Sequence, residues 1–497
     1  MVNRLEITPV ALPSPSPTLL ARRVAVALSS ASRHLVAERR AGRLDRLGVA
    51  RVIRRTFDDL GGTFTKFGQL IASSPGLFGD DVAAEFRGCL DAGPPIPFGH
   101  LRRAIRRDLD RPIEECFATI DPEPLAAASL AVVHRATLLD GRTVAVKVLR
   151  PGIRTTLATD LATMRPLADF VARQVAVGVA GTLPGLVRGL ADQVSEEVDL
   201  TNEARSIIWF RELIEAIDAR LIRIPEPVDG LCGSQVLTME LIDGVAVDDD
   251  EAIAAWGVDP RPALRECLRA WFAGLLCVGA FHGDIHAGNL LICPDGKMGV
   301  LDWGIVGRID AATGQFMRRL LDGALGDETA WLDVSRHIEA IYGTALREAI
   351  GLDETGFSVL MRNYFDPLLS SPIGDVDLRT MLLGFGLDGD GEAERQPGAW
   401  GAFNRWRAER RNRRALMDTE AFGGDFDRST FLLGKQLVYF ERYGKRYLPD
   451  VPLIDDPDAY RRLLDVIGTI ELTEAATPPA TTLNAASALI GRQKSVS

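Results

Sequence analysis

The sequence predicts an α+β fold with two lobes, a small β-rich lobe and then a large helical lobe, preceded by a helical extension. Three observations predict this arrangement. Runs rich in β-branched residues are concentrated between about 121 and 245. Apolar residues at helical spacing fill much of the chain on either side of that stretch. A cluster of acidic and amide side chains falls where the β-rich part gives way to the helical part.

The composition is that of a globular protein that can bury more than one core. Its 497 residues are 46% hydrophobic and 25% charged. A net charge of -11 argues against a nucleic-acid partner for the whole chain. None of the six cysteines stands in a CxxC pair, which predicts reduced thiols. We find no secretory signal and no apolar run of about 18–20 residues, so we expect a cytoplasmic protein that could touch a membrane peripherally.

Turn signals and periodicity set the expected elements. Asp140-Gly141 predicts a hairpin turn, and 143–149 after it reads as a strand. Further expected elements are an extended or disordered stretch at 8–18, helices at 19–60, 61–98 and 158–218, strands within 222–241, a helix at 261–281, two short strands at 289–293 and 298–301, and helices over 310–472 interrupted by a loop at 385–400 and a basic run at 405–414. The predicted domains are 1–50, a partly disordered segment; 51–120, a helical extension; 121–245, the β-rich lobe with inserted helices; 246–472, the helical lobe; and 473–497, a flexible tail.

A lysine in the strand at 143–149 is the first candidate functional residue. Strand alternation puts Lys147 on the opposite face from its valine neighbours. If that is the inner face, the charge needs a carboxylate partner, and the helix after the strand offers Glu197, Asp199 and Glu203, of which the last two share a helix face. The spacing leaves open which of them pairs with Lys147, and a solvated acidic face is the plainer alternative.

The acidic and amide residues at the junction have the order of a phosphoryl-transfer site. Asp284 precedes Asn289 by five residues, and Asp302 stands in an Asp-Trp-Gly sequence after a short hairpin. Protein kinases place a catalytic Asp, a Mg²⁺-binding Asn and a second Mg²⁺-binding Asp in this order, after a strand lysine. We therefore predict a bilobal protein-kinase-like fold that binds ATP or ADP with Mg²⁺. Asp284 and Lys147 are the expected catalytic residues, and Asn289 and Asp302 the expected metal ligands.

Two histidines flank the candidate catalytic aspartate. His282 and His286 could suggest a transition metal, but Cys293 is the one further ligand in the neighbouring sequence, and it falls in an expected buried strand. We expect the imidazoles to brace the loop by hydrogen bonds instead.

Three further motifs carry a resemblance to a known family. They are Lys66-x-Gly68-Gln69, the alanine-rich run at 124–136 that contains Ala126-Ala127-Ala128-Ser129, and Glu197-x-Asp199. With the loop His282–Asn289, they resemble the UbiB/ADCK (AarF-domain) atypical kinase-like family. Trp303, Ile285, Ala287 and Val132 depart from the family pattern, but none of these changes removes a phosphate or metal ligand.

The resemblance assigns further roles. It implies nucleotide contacts at Ala126, Ala127, Ala128, Ser129, Lys147 and Glu240, and regulatory positions at Lys66, Gly68, Gln69, Glu197, Asp199 and Glu203. In the family, the segment that carries the KxGQ motif covers the active site, and alanines replace the flexible glycines of ordinary kinases. The resemblance thus implies ATPase or small-molecule or lipid phosphotransferase activity, linked to isoprenoid quinone biosynthesis or membrane lipids, with a lipid or quinone precursor as ligand.

Two other functions remain open. A non-hydrolysing, nucleotide-gated lipid chaperone would also suit a covered active site. An aminoglycoside- or choline-type phosphotransferase shares the loop motif but not KxGQ. The basic run at 405–414 could contact anionic lipid, although a solvated helix is the plainer interpretation.

Overall fold

Two lobes follow a helical extension, as the sequence predicts. The computed structural model describes residues 5–72, 78–89, 96–174, 183–342, 351–376, 428–454 and 456–467. The loop expected at 385–400, the basic run at 405–414 and the tail at 473–497 lie outside the described residues.

The extension that precedes the small lobe in the chain is helical. Its helices are α1 (Pro17–Arg40), α2 (Arg46–Leu60), α3 (Thr63–Ala72), α4 (Asp80–Phe86), α5 (Phe98–Leu109) and α6 (Ile113–Cys116). Residues 5–16 have no regular secondary structure but are held in place, since Val10 N–H donates to the Ser195 carbonyl at 3.0 Å. Ser16 then caps α1, and Pro17 follows at its first position, where a missing N–H costs nothing.

A five-stranded antiparallel sheet forms the small lobe. Its strands are β1 (Phe117–Ala127), β2 (Ala131–Leu138), β3 (Thr143–Leu149), β5 (Pro227–Cys232) and β6 (Val236–Glu240), in the spatial order β1-β2-β3-β6-β5. The expected turn joins β2 to β3, with Gly141 at a φ of 90°. On β3, Val144, Val146 and Val148 share one buried cluster and Ala145 joins another, so the two faces of the strand are distinct. Lys147 lies on the face of Ala145.

Long helices connect the small lobe to the large one. Three of them follow β3: α7 (Ile153–Gln174), α8 (Leu183–Glu197) and α9 (Leu200–Ala216). The large lobe then comprises β4 (Ile222–Arg223), β7 (Val245–Ala246), α10 (Asp250–Trp256), α11 (Arg261–Ala273), β8 (Ala280–His282), β9 (Leu290–Ile292), β10 (Met298–Val300), β11 (Val306–Arg308), α12 (Ala311–Ala324), α13 (Ala330–Tyr342), α14 (Glu354–Ser370), α15 (Arg428–Tyr447) and α16 (Pro457–Ile467). Small sheets pair β4-β10-β9-β7 and β8-β11.

One predicted helix ends earlier than expected. The apolar run at 261–281 forms α11, then a π-helical turn over Gly274–Val278, and its last residues enter strand β8. Gly279, with a φ of 67°, terminates the helix, and β8 pairs with β11 instead. Apolar composition alone could not separate the buried helix from the buried strand that follows it.

The extension belongs to the main core of the protein. Aromatic rings of α2, α3 and α4 pack together, with Phe57 at 5.6 Å from Phe64 and 6.0 Å from both Phe67 and Phe86 between ring centroids. The same cluster of buried residues continues through α7, α8, α9 and α11. Because this packing is continuous, α3 cannot leave the kinase-like lobes without exposing a large apolar surface.

Gly68 allows the close approach of α3 to the residues after α4. A β-carbon at Gly68 would lie 2.6 Å from Cys89 Sγ, so we expect Gly68→Ala to lower the free energy of unfolding by about 1–3 kcal/mol. In a Cys89→Ala background the loss should shrink, because the nearest atom would then be the β-carbon of residue 89 at 3.3 Å. Chemical denaturation of wild type, Gly68→Ala, Cys89→Ala and the double variant measures this coupling. Gly88→Ala, whose β-carbon would meet only Arg54 at 3.8 Å, is the control. An equal loss in both backgrounds would contradict the explanation.

Candidate active site

Lys147 connects the two lobes through two carboxylates. Its Nζ is 2.8 Å from Glu203 of α9 and 2.8 Å from Asp302, which follows β10. The side chains of Lys147 and Glu203 are 14% and 3% exposed, whereas that of Asp302 is 48% exposed. The pair of Lys147 and Glu203 is therefore withdrawn from water, whereas about half of the Asp302 side chain is accessible to solvent. Of the three acids that the sequence left open, Glu203 is the partner of Lys147 on the helical side.

The first turn of α9 positions Glu203. Asp199 is the N-cap of this helix, and its Oδ1 accepts hydrogen bonds from the N–H of Thr201 at 3.0 Å and from its hydroxyl at 2.7 Å. A carboxylate in the first turn, such as that of Glu203, is also stabilised by the helix dipole. Asp199 thus begins the helix that carries Glu203, a role that the sequence analysis did not assign to it.

The KxGQ helix, α3, is tied to the end of α8. Lys66 Nζ lies 2.8 Å from Glu197 Oε2, and the two side chains are only 13% and 11% exposed. Gln193, one turn earlier on α8, donates to the other oxygen of Glu197 at 2.8 Å. Gly68 is buried and Gln69 half-buried on the same helix. The structure therefore brings the KxGQ and ExD motifs together through the pair of Lys66 and Glu197.

The alanine-rich run forms the turn between β1 and β2. Ala126 and Ala127 end β1, and Ala128 and the buried Ser129 lead into β2, which pairs with the lysine-bearing strand β3. The guanidinium of Arg150 donates to the Ala128 carbonyl at 2.8 Å. Because Arg150 directly follows β3, this hydrogen bond holds the turn against the end of that strand.

Glu240 ends β6, the neighbour of β3. Its carboxylate forms an ion pair with Arg223 of β4, which links the sheet of the small lobe to the first strand of the large lobe. The contact with nucleotide that the resemblance implies for Glu240 stays a prediction.

His282 organises the loop that carries Asp284. Its Nδ1 accepts from the N–H of Asp284 at 3.0 Å, and its Nε2 therefore donates to the Leu301 carbonyl at 2.9 Å. Burial lowers the pKa of His282, which keeps this tautomer neutral. The ring also packs on Trp303, with centroids 4.4 Å apart. His286 Nδ1 accepts from its own loop, so both imidazoles brace the backbone, as expected.

Asn289 and Asp302 are set side by side by the backbone. The Asn289 side chain donates to the Asp284 carbonyl at 2.8 Å, and the Asn289 carbonyl accepts from Leu301 N–H at 2.8 Å. Asp302 has a φ of 55°, a left-handed conformation that is uncommon for a residue with a side chain. This turn directs the Asp302 carboxylate to Lys147.

The charges of these groups depend on one another. Burial disfavours the ammonium of Lys147, but Asp302 and Glu203 outweigh it and raise the pKa of Lys147. Burial likewise opposes the carboxylate of Asp302, yet Lys147 holds its pKa well below the usual range. The pKa of Glu203 is raised, because burial dominates there despite Lys147. Lys147 and Asp302 are therefore charged at neutral pH.

Asp284 has a partner that the sequence analysis missed. Lys435 of α15 places its Nζ 2.6 Å from Asp284 Oδ1. Burial would raise the pKa of Asp284, but Lys435 and His286 hold it below its usual value. The next residue, Gln436, accepts from the Ile285 N–H at 2.9 Å and donates to the Gly283 carbonyl at 2.6 Å. Helix α15 thus contacts the loop both at its backbone and at the side chain of Asp284.

A signal for this contact exists in the sequence. Leu432, Phe440 and Tyr443 form the buried stripe of α15, and Gln436 occupies the stripe at the same spacing, fully buried. A polar residue at a core position of an amphipathic helix needs a buried hydrogen-bond partner. The helical period could therefore have indicated a polar contact here, although not its location.

The residues at the junction fit a hard divalent cation and a phosphate chain. Carboxylate and amide oxygens of Asp302 and Asn289 are the ligands that Mg²⁺ prefers, and Lys147 supplies a cation next to them. Among the described residues, no group of three His, Cys, Asp or Glu side chains is arranged to hold a metal, and both ring nitrogens of His282 are already bonded. The described helices also include none with the length and hydropathy to cross a membrane.

Comparisons with known proteins identify the family to which the chain is similar. The ABC1 atypical kinase-like domain matches residues 89–332. An uncharacterized chloroplast aarF domain-containing protein kinase of Arabidopsis thaliana is 33% identical over 438 residues, covering 86% of this chain and 76% of that protein. An uncharacterized Mycobacterium tuberculosis protein is 34% identical, covering 84% of this chain and 79% of that one. The probable protein kinase UbiB of Marinobacter nauticus is 32% identical over 70% of this chain and 62% of its own length.

Among solved structures, the complex of Rv3197 with erythromycin from Mycobacterium tuberculosis aligns with 79% of this chain and 93% of that one. Its TM-score is 0.39 at 21% identity, too distant a likeness for a comparison of sites.

Proposed function

Because the chain belongs to the ABC1, or UbiB/aarF-domain, family of atypical kinase-like proteins, we propose that it binds Mg-ATP between its lobes and hydrolyses it or transfers its terminal phosphoryl group. The observation that supports this best is the bridge of Lys147 to Glu203 and Asp302. Glu203 holds the lysine at the cleft, and Asp302 is the exposed end of the bridge. In this proposal the phosphates of the nucleotide form an ion pair with Lys147, and Asp302 and Asn289 bind Mg²⁺.

In the proposed reaction Asp284 faces the acceptor. The oxygen of water or of an acceptor hydroxyl forms a bond to the γ-phosphorus while the bond to the β,γ-bridging oxygen breaks, and ADP departs with that electron pair. Asp284 accepts a hydrogen bond from the acceptor and takes its proton. A carboxylate with a lowered pKa is a weak base, which suits a loose transition state in which positioning counts for more than deprotonation.

The covering helix α3 favours a small or lipid acceptor. Lys66 and Glu197 form a nearly buried pair, and α3 is anchored in the core by Phe64 and Phe67. An extended protein substrate would have to compete with this packing. We therefore propose that the acceptor or ligand is small or lipid-like, in line with the isoprenoid quinone and membrane lipid link that the family resemblance implies.

A turnover experiment tests the enzymatic proposal. Purified protein with Mg-ATP should release phosphate or label an added quinone precursor or lipid, and Asp302→Asn should remove that activity because the metal loses its carboxylate and Lys147 loses a partner. Both phosphate release and labelled products are measured, with and without anionic vesicles. Asp295→Asn, an exposed aspartate in the β9–β10 turn, is the matched control. Equal turnover by wild type and Asp302→Asn would contradict the assignment.

A peripheral membrane contact has a candidate surface on α1. The helix turns polar residues, Arg23, Ser30 and Glu38, toward the protein, where they form ion pairs and hydrogen bonds. Leu28 and Leu35, seven residues apart and so on one face, are 64% and 43% exposed. Apolar side chains on the outer face with exposed arginines nearby fit an anionic lipid surface.

Vesicle binding checks this surface. We expect Leu28→Glu/Leu35→Glu to reduce cosedimentation with phosphatidylglycerol vesicles several-fold, because burial of the leucines and attraction to lipid charge are both lost. Leu139→Glu alters an equally exposed leucine, 65%, in the β2–β3 turn and should bind as wild type does. Binding that is unchanged in the α1 variant would place the contact elsewhere.

A further inference from the structure

Helix α15 brings a lysine to the acceptor side of the site. Lys435 Nζ lies 2.6 Å from Asp284 Oδ1, and the two side chains are 19% and 18% exposed. The loop from His282 to Asn289 contains no lysine or arginine of its own. The cation beside Asp284 therefore comes from a helix 151 residues further along the chain.

The helix does not need Lys435 to dock. Gln436 makes two backbone hydrogen bonds to the loop, and the Tyr443 hydroxyl donates to the Ile285 carbonyl at 3.3 Å. At the start of the helix, Arg428 lies 2.8 Å from the buried Glu196. These contacts fix the helix in position and rotation. The ammonium of Lys435 is thus an additional charge placed at Asp284 by a helix that other residues already hold.

Lys435 stays protonated although its side chain is largely buried. Burial lowers its pKa, but Asp284 outweighs burial, and the net shift is upward. Lys66 acts on the pKa of Lys435 in the opposite sense, so a second ammonium group lies within electrostatic reach. A third, Lys147, pairs with Asp302. Cations that converge on the position of a transferred phosphoryl group stabilise the charge on its oxygens.

We propose that Lys435 is a phosphate-binding residue that contacts the terminal phosphate of the bound nucleotide, an inference that rests on the proposed function. Without nucleotide, Asp284 neutralises the ammonium. With nucleotide, the terminal phosphate takes over this role, and Asp284 is released to orient the acceptor. Lys147 then serves the phosphates on the metal side and Lys435 the terminal phosphate on the acceptor side.

The proposal predicts a preference between nucleotides. ADP lacks the terminal phosphate, so a residue that contacts this group affects ATP and spares ADP. We expect Lys435→Met to weaken Mg-ATP binding about tenfold, the size of one charge-assisted contact, and to change Mg-ADP binding less than about twofold. Calorimetric dissociation constants for both nucleotides measure this. Lys445→Met, a lysine on the same helix that pairs with Glu441 at the surface, should change neither.

A purely structural ion pair gives a different result. It would weaken ATP and ADP equally or leave both unchanged, and either outcome would overturn the proposal. Wild-type protein that binds neither nucleotide would instead contradict the proposed function itself.

A second pair of variants tests the proposal if Lys435→Met destabilises the protein. Lys435→Met leaves Asp284 without its ammonium, which could destabilise the protein. Asp284→Asn removes the carboxylate that would be left without a partner. The effect of Lys435 on nucleotide binding can therefore be measured by comparing Asp284→Asn with Asp284→Asn/Lys435→Met. We expect the affinity for Mg-ATP relative to Mg-ADP to be about tenfold lower in the double variant than in Asp284→Asn. An equal preference in both would overturn the proposal.

Discussion

The ion pairs of Lys147 are the constraint on which the site depends. A buried ammonium is tolerated only with carboxylates at hydrogen-bonding distance, and Glu203 and Asp302 supply them from α9 and from the end of β10. The two partners belong to different parts of the chain, so the pairs set the distance between the small sheet and the loop region of the large lobe. The ion pair with Lys147 also keeps Asp302 charged, and about half of its side chain stays accessible to solvent.

Two consecutive acids at the end of α8 connect this site to its surroundings. Glu196 binds Arg308 at 2.6 Å and Arg428 at 2.8 Å, which anchors the start of α15. Glu197 binds Lys66 of α3. The helix that approaches Asp284 and the helix that carries the KxGQ motif are therefore held at neighbouring residues. A shift of the end of α8 would move both of them together.

The sequence predicted the fold and the order of the candidate site residues because these depend on local patterns. The alternation of β3 put Lys147 on the face opposite its valine neighbours, and Asp284, Asn289 and Asp302 follow one another at the spacing of a phosphoryl-transfer site. The partner of Lys147 could not be predicted, since Glu197 and Glu203 lie on separate helices divided by the cap at Asp199. Lys435 was missed because its contact is set by tertiary packing, across a stretch of chain with no motif. The early end of α11 depended on strand pairing, which apolar composition does not encode.

The central claim is that Lys147, with Asp302, binds a magnesium nucleotide at the junction of the lobes. A ligand that binds only the folded protein raises its melting temperature. Thermal denaturation with and without saturating Mg-ATP, in wild type and in Lys147→Met, measures this most directly, with Lys297→Met of the β9–β10 turn as the control. The account predicts a rise in Tm for wild type and Lys297→Met that is absent in Lys147→Met. An equal rise in all three proteins would contradict it.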